Sequence, residues 1–323
     1  MAILLLVIFI TNYLIPNALA NPRSSFISPF SSAKSSLPAE SYLQSSSSSE
    51  VYWRNHLPYT VLPRKLHNLL GTSINKAFTF QPSDALGYKI YVNSNAKPSP
   101  HNITLFFLPK SLFLGNKMQL NFPIPGNKVQ LLPRKVADKF PLTSETVLQF
   151  STMFNYSNEQ LSLANMTIQA CSGSPISGER KSCVSSLESM VDVCVENVGQ
   201  GVGVQAMMNE IAEEHNEIRE YDVAGYNKLL GSSRPLACHQ RAFPFAIFYC
   251  HVAKESEVYN VSLKRHDNVG SQESAVMVIC HKDTHAWDVN HVAFKILKVK
   301  PGTSVCHFID SSSVIFMATT TLV

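Results

Sequence analysis

The chain has 323 residues, of which 27 are Lys or Arg and 23 are Asp or Glu, for a formal charge of +4, and 45% are apolar. That is enough apolar material for a core of ordinary size, and no Lys/Arg run or interleaved aromatic strip of the kind that grips nucleic acid accompanies the slight positive balance. The outlying numbers are seven Cys and eleven His.

In chain order, "MAILLLVIFITNYLIPNALA" is an apolar run too short and too near the start for a membrane span. It ends in Ala18-Leu19-Ala20 and reads as a secretory signal over residues 1–20. The usual positive n-region is missing, so an uncleaved anchor is the alternative. No later run of about 18 apolar residues follows, and no stable membrane span is expected there. In a secreted chain the sequons at Asn102, Asn155, Asn165 and Asn260 are glycosylation acceptors wherever they are exposed.

Residues 21–50, "NPRSSFISPFSSAKSSLPAESYLQSSSSSE", replace aliphatic residues with Ser and Pro and read as a disordered spacer without internal repeats. "VYWRNHLPYTVLPRKLHNLLG" follows as a short docking segment, with a helix expected from Pro63 to Leu70, and 71–100 reads as a second linker. The pre-domain region therefore spans 21–102 and the compact domain 103–323. Within that domain "SETVLQFSTMF", "NEQLSLANMTIQAC" and "SSLESMVDVCVENVG" have helical spacing with Ser or Asn starts. Beyond residue 200 the texture changes to short Val/Ile/Phe/Tyr-rich runs, "PFAIFYCHV", "VYNVSLKRH", "AVMVICH", "HVAFKILKV" and "SVCHFI". The fold class expected is α+β, with several helices and an antiparallel β-rich C-terminal half.

Random placement of these Cys and His residues gives about 0.24 Cys-His steps. The chain has four, Cys238-His239, Cys250-His251, Cys280-His281 and Cys306-His307, separated by 10, 28 and 24 residues. Neighbouring side chains in a strand point to opposite faces, so each step sends a sulfur one way and an imidazole the other. In an oxidising compartment these sulfurs are expected in disulfides, each a staple holding a histidine on the far face. Four such imidazoles suit Cu(II), Zn or Ni. The plainer reading is that the disulfides only stabilise and the histidines are ordinary half-buried side chains. A third reading, zinc held by the thiolates, lacks any Cys-x-x-Cys spacing. Cys171 and Cys183 bracket a Gly/Pro/Ser loop that a disulfide could close, which would leave Cys194 as a buried core thiol; pairings that use Cys194 instead stay open at this point.

This arrangement resembles the BURP domain, a plant family whose signature is four Cys-His pairs followed by a Trp. "FFLPKSLFLGNKMQLNF", "LLPRKVADKFP", Gly178, Glu179, Lys181 and Cys183 with Ser186 to Met190, "FPFAIFYCH", "CHKDTHAWDVNHVAFKILKVKPG" and "VCHF" extend the likeness over residues 103 to 310. The sequence departs from the pattern at Phe316, where the family has Trp, in its tail "MATTTLV", and in the second and third spacers, a little longer and slightly shorter than usual. The resemblance implies one disulfide-stapled domain in which His239, His251, His281 and His307 ligate copper, with His291 a weaker candidate.

The function it implies divides in two. Some members of the family are copper-dependent peptide cyclases that use dioxygen to cross-link a Tyr or Trp core peptide carried on the same chain. Others are secreted wall or seed-storage-compartment proteins, stress-responsive proteins or the non-catalytic β subunit of polygalacturonase, with no demonstrated catalysis. Tyr42, Tyr52, Trp53 and Tyr59 are the N-terminal aromatics here, none lies in a repeat, and Tyr52-Trp53 reads as an anchor packed on the domain. The leading expectation is a secreted, apoplastic or vacuolar copper-binding protein that meets a wall polysaccharide or wall protein. The alternative is a copper-dependent cyclase acting on a peptide, with catalytic residues unknown.

Overall fold

The computed structural model describes residues 39–71, 105–122, 129–199, 203–209, 211, 218–231, 234–266 and 273–318. The signal expected over 1–20, the spacer up to 38, the second linker from 72 and the sequon Asn102 lie outside the described residues. In chain order the elements are α1 (Ala39–His56), α2 (Arg64–His67), β1 (Phe106–Phe107), β2 (Lys117–Leu120), α3 (Arg134–Ala137) and α4 (Ser144–Phe154). They continue with α5 (Asn158–Ser172), β3 (Arg180–Val184), α6 (Leu187–Val198), β4 (Val204–Met208), β5 (Arg219–Lys228) and β6 (Leu236–Arg241). The last are β7 (Ile247–Val252), β8 (Ser256–Arg265), β9 (Ser274–His281), α7 (Val292–Leu297), β10 (Val305–Phe308) and β11 (Val314–Ala318).

Helices and antiparallel sheets together make the α+β class expected. One sheet has six strands in the order β1-β10-β9-β8-β5-β2, and the other has five in the order β3-β7-β6-β11-β4. The three long helices of the domain, α4, α5 and α6, begin where Ser or Thr caps them. Thr143 accepts from Thr146 N at 3.3 Å, Ser157 forms a capping box with Gln160, and Ser186 accepts from Ser189 N at 3.1 Å. Each cap satisfies an amide that the first helical turn leaves unpaired.

Each sheet buries its outer face, and the two meet through part of their inner faces, while the inner side of β2 and β5 carries the partly exposed Lys117, Glu220 and Asp222. Between them lies one apolar layer, in which Ala237, Ile315 and Met317 from the five-stranded sheet meet Val258, Met277 and Ile279 from the six-stranded one. Asn209, 1% exposed, ties the sheets together: its carboxamide accepts from Met277 N at 2.7 Å and donates to the Ile309 carbonyl. The outer face of the five-stranded sheet packs on α6 and buries Cys238 and Cys250 with Leu187, Val191 and Cys194. The outer face of the six-stranded sheet buries Cys280 and Cys306 with Phe107, Phe122 and Phe308.

Two stretches differ from their expected conformation. "HVAFKILKV" contains α7 rather than a strand: its buried residues, Ala293 and Phe294, are adjacent and so do not alternate. His291 caps that helix by accepting from Ala293 N, and Lys298 ends it in the left-handed conformation with φ 55°. The helix α1 begins at Ala39, inside the stretch read as spacer, and its last turns dock on α6. Ser49 Oγ donates to Glu188 at 2.7 Å, Tyr52 OH to Asp192 at 2.6 Å, and Arg134 to Asp192 at 2.6 Å from above the Tyr52 ring. Trp53, 1% exposed, donates its indole N–H to the Thr60 carbonyl, and Thr60 donates to that of Val204. Serine costs a helix little, so docking at one end suffices to extend α1 through the Ser run.

Candidate metal centre

The Cys-His dipeptides lie in β6, β7, β9 and β10, and the ladders set them opposite one another. Cys238 pairs with Cys250 across β6 and β7, and Cys280 with Cys306 across β9 and β10. Both pairs are disulfide-bonded, as is Cys171 with Cys183, and Cys194 is the free thiol, buried in the core. Alternation then fixes the imidazoles. With opposed cysteines turned to the outer face, the following histidines of each strand pair emerge diagonally on the inner face. The ring centres of His239 and His251 stand 5.3 Å apart, and those of His281 and His307 5.5 Å apart.

The two sheets bring these two pairs together. His239 lies 6.0 Å from His307 and His251 lies 6.4 Å from His281, centre to centre, so the four rings continue the inter-sheet layer as a polar cluster. His281 is only 4% exposed. His291 stays outside the cluster. It caps α7, 4.5 Å from the Trp287 ring, while Trp287 stands 5.1 Å from His281 and Phe106 stands 5.6 Å from His307.

Each of the four has its Nδ1 engaged. His239 meets Ser313 Oγ at 3.0 Å, and that hydroxyl donates to Asp310 at 2.9 Å. His251 meets the Glu179 carboxylate, His281 meets Ser256 Oγ at 3.1 Å, and His307 meets the Phe308 carbonyl at 3.1 Å. A carbonyl or carboxylate only accepts, so His251 and His307 carry a proton on Nδ1, and the neutral His307 leaves its Nε2 bare. Ser313 spends its own proton on Asp310, which gives His239 the same tautomer. His281 Nε2 lies 3.4 Å from His307 Nε2. Because the latter is bare, the proton in that long contact belongs to His281, whose Nδ1 then accepts from Ser256.

Burial and mutual repulsion keep His239, His281 and His307 neutral. Burial, followed by the neighbouring His251, His307, Arg241 and His281, holds His239 well below the ordinary histidine range. Burial and then His307, His251 and His291 do the same to His281, and burial brings His307 down to about 4. His291 is lowered by burial as well.

Neutral imidazoles are the ligand form of histidine. Among the described residues no three His, Cys, Asp or Glu side chains form a ready-made metal cage. The chemistry of the cluster nevertheless fits copper. Imidazole nitrogen suits that metal, and His239, His251 and His307 give Nδ1–H to a hydroxyl, carboxylate or carbonyl as metal-ligating histidines do; His281 would match them once its proton moves from Nε2 to Nδ1, where Ser256 Oγ can accept it.

The sequence-level reading missed Glu179, Ser256 and Ser313. They lie 72, 25 and 74 residues from the rings they meet, beyond any spacing rule. Of the sequons, Asn155 is exposed at the left-handed C-cap of α4, with φ 50°, whereas Asn165 within α5 and Asn260 within β8 are half-buried. Phe316, at the position that departs from the resemblance, is fully buried on β11.

Comparison with known proteins gives a family and a set of relatives. The model of the BURP domain matches residues 105–318. BURP domain protein RD22 of Arabidopsis thaliana is 38% identical over 224 residues, 67% of this chain and 56% of that protein. BURP domain-containing protein 3 of Oryza sativa subsp. japonica is 36% identical over 221 residues, 67% of this chain and 51% of its own length. The chain thus spans about half the length of these two. BURP domain-containing protein 5, also from rice, is 30% identical over 290 residues, 83% of this chain and 86% of that protein.

Proposed function

The chain belongs to the BURP-domain family, and from that premise we propose that it is a copper-binding protein of the plant secretory route, with His239, His251, His281 and His307 as ligands. One observation carries this reading: four imidazoles from two disulfide-stapled strand pairs share one buried site, each with its Nδ1 engaged. The staples restrain the strands, Ser313, Glu179, Ser256 and the Phe308 carbonyl orient the rings, and the inter-sheet apolar layer keeps water from one side. Bound there, the metal would supply one-electron exchange between Cu(II) and Cu(I).

The reading extends to place and partner. An apolar N-terminal run, three disulfides and an exposed sequon at Asn155 suit passage to the wall or vacuole. A wall polysaccharide or wall protein is the partner that destination offers, in seed or anther among other tissues.

Oxidative cyclisation is the rival, and it needs an aromatic side chain free to react. Trp53 is 1% exposed and Tyr52 donates its hydroxyl to Asp192, so both serve the fold, whereas Tyr59, 71% exposed, stays accessible, and the mass of the copper-treated chain decides between the readings. The test is to titrate the full chain with Cu(II) in air, follow binding, and then record its mass. Saturable binding that weakens in His239→Ala and His307→Ala, with the mass of the chain unchanged, supports the proposal. Loss of two hydrogens from a peptide of the chain overturns the non-catalytic part, and indifference of both variants overturns the ligand set.

A further inference from the structure

We propose that Glu179 is a positioning residue that makes His251 the strongest Cu(II) donor of the cluster, an inference that rests on the copper reading above. Glu179 follows Gly178, whose φ of +82° turns the chain, inside the loop that the Cys171–Cys183 disulfide closes. That bridge also ends in β3, where Lys181 lies opposite His251 on β7. The third disulfide, distant from the Cys-His pairs in sequence, therefore pins the loop that serves one of their histidines.

The four rings are not equivalent. Ser313, Ser256 and the Phe308 carbonyl are neutral partners, whereas Glu179 sets a carboxylate oxygen directly on His251 Nδ1. The Glu179 side chain is 9% exposed, and among the described residues its second oxygen, Oε2, is buried without a hydrogen-bond partner. Burying a carboxylate with one oxygen unsatisfied costs stability. The Lys181 ammonium feels this charge but makes no direct ion pair with it among the described residues: it donates to the Ala170 carbonyl at 2.5 Å and sits 5.5 Å from the centre of the Tyr249 ring. The charge is turned instead toward the imidazole. A carboxylate that accepts from Nδ1–H enriches Nε2 in electrons, and the richer donor favours the more highly charged Cu(II) over Cu(I).

Glu179→Gln keeps the shape and an acceptor oxygen while removing the charge. Cu(II) and Cu(I) affinities of the full chain are measured by competition with chelators, for wild type and variant. The expected result is a Cu(II) affinity lower by about 10- to 100-fold and a smaller loss for Cu(I), so that the reduction potential rises. Equal losses for both oxidation states reduce Glu179 to a structural part and overturn the inference, as does an unchanged variant. A wild type that takes up no copper overturns the copper reading itself, which separates the two failures. A second measurement needs neither metal nor variant: proton NMR of the metal-free wild type gives a downfield Nδ1–H resonance for His251, and its absence also overturns the proposal.

Discussion

The indole of Trp53 lies 6.0 Å from the ring of Phe316, tilted by 45°, with both side chains buried in the core beneath α6. One comes from a segment that precedes the family-matched residues and the other from the last strand, at the position where the resemblance expects Trp. Two large aromatics thus share one volume, and the smaller ring at 316 leaves room for Trp53. Trp53→Ala should cost about 3–5 kcal/mol, read as a lower urea midpoint. Phe316→Trp should overpack the same volume and cost about 1–3 kcal/mol. A Phe316→Trp protein as stable as wild type would show that the two positions do not compete for space.

Glu257 links the second half of the fold to pH. It accepts from Lys228 at 2.7 Å, from Tyr259 at 2.8 Å and pairs with Lys282 at 3.1 Å. Burial alone would raise its carboxyl, but the hydrogen bonds from Lys228, Tyr259 and Lys282 and the Lys282 charge bring it down to about 2. The group is lowered relative to the unfolded chain, so its stabilisation is complete above the ordinary glutamate value of 4.5 and is lost as pH falls toward 2. The stability gap between wild type and Glu257→Gln should therefore be constant from pH 7 to 5 and close below it. A gap that persists at low pH would mean that the charge contributes nothing.

Strand alternation made half of the site legible in advance. A Cys-His dipeptide in an extended run places its two side chains on opposite faces whatever the tertiary fold, and sulfur and imidazole do lie on opposite faces here. That Cys238 stands opposite Cys250, rather than one residue out of register, depends on the intervening turn and on the packing of both faces. The meeting of His239 with His307 and of His251 with His281 is a contact between sheets, and no local pattern encodes it. Glu179 was legible only as part of a family-like stretch. The helix α7 was misread because six apolar-rich residues fit a short strand as readily as two helical turns, and the side-chain cap of His291 decides between them.

Cys194 gives an inexpensive check on the connectivity. Its thiol is buried and burial pushes it up to about 12, so almost no thiolate exists at neutral pH. The native protein should not react with a thiol reagent at pH 8, and the denatured, unreduced protein should expose one thiol per chain. Two further thiols would mean that one disulfide is absent, and a fast native reaction would place Cys194 at the surface.

Removing a staple separates stability from placement. The Cys280–Cys306 bridge spans a ladder in which Val305, Cys306, His307 and Phe308 pair with His281, Cys280, Ile279 and Val278. The ladder alone keeps His281 and His307 on the inner face, because alternation belongs to the backbone. Joint replacement of Cys280 and Cys306 by Ala should therefore cost about 2–4 kcal/mol of stability. Under conditions where the variant stays folded, the Cu(II) affinity should fall by less than about tenfold, the range that loss of an orienting contact begins to exceed. Because both cysteines are buried against Phe107 and Phe308, part of the stability loss will come from the packing they leave. Copper binding abolished in a folded double variant would make the disulfide part of the site itself and sink the view that the ladder is sufficient.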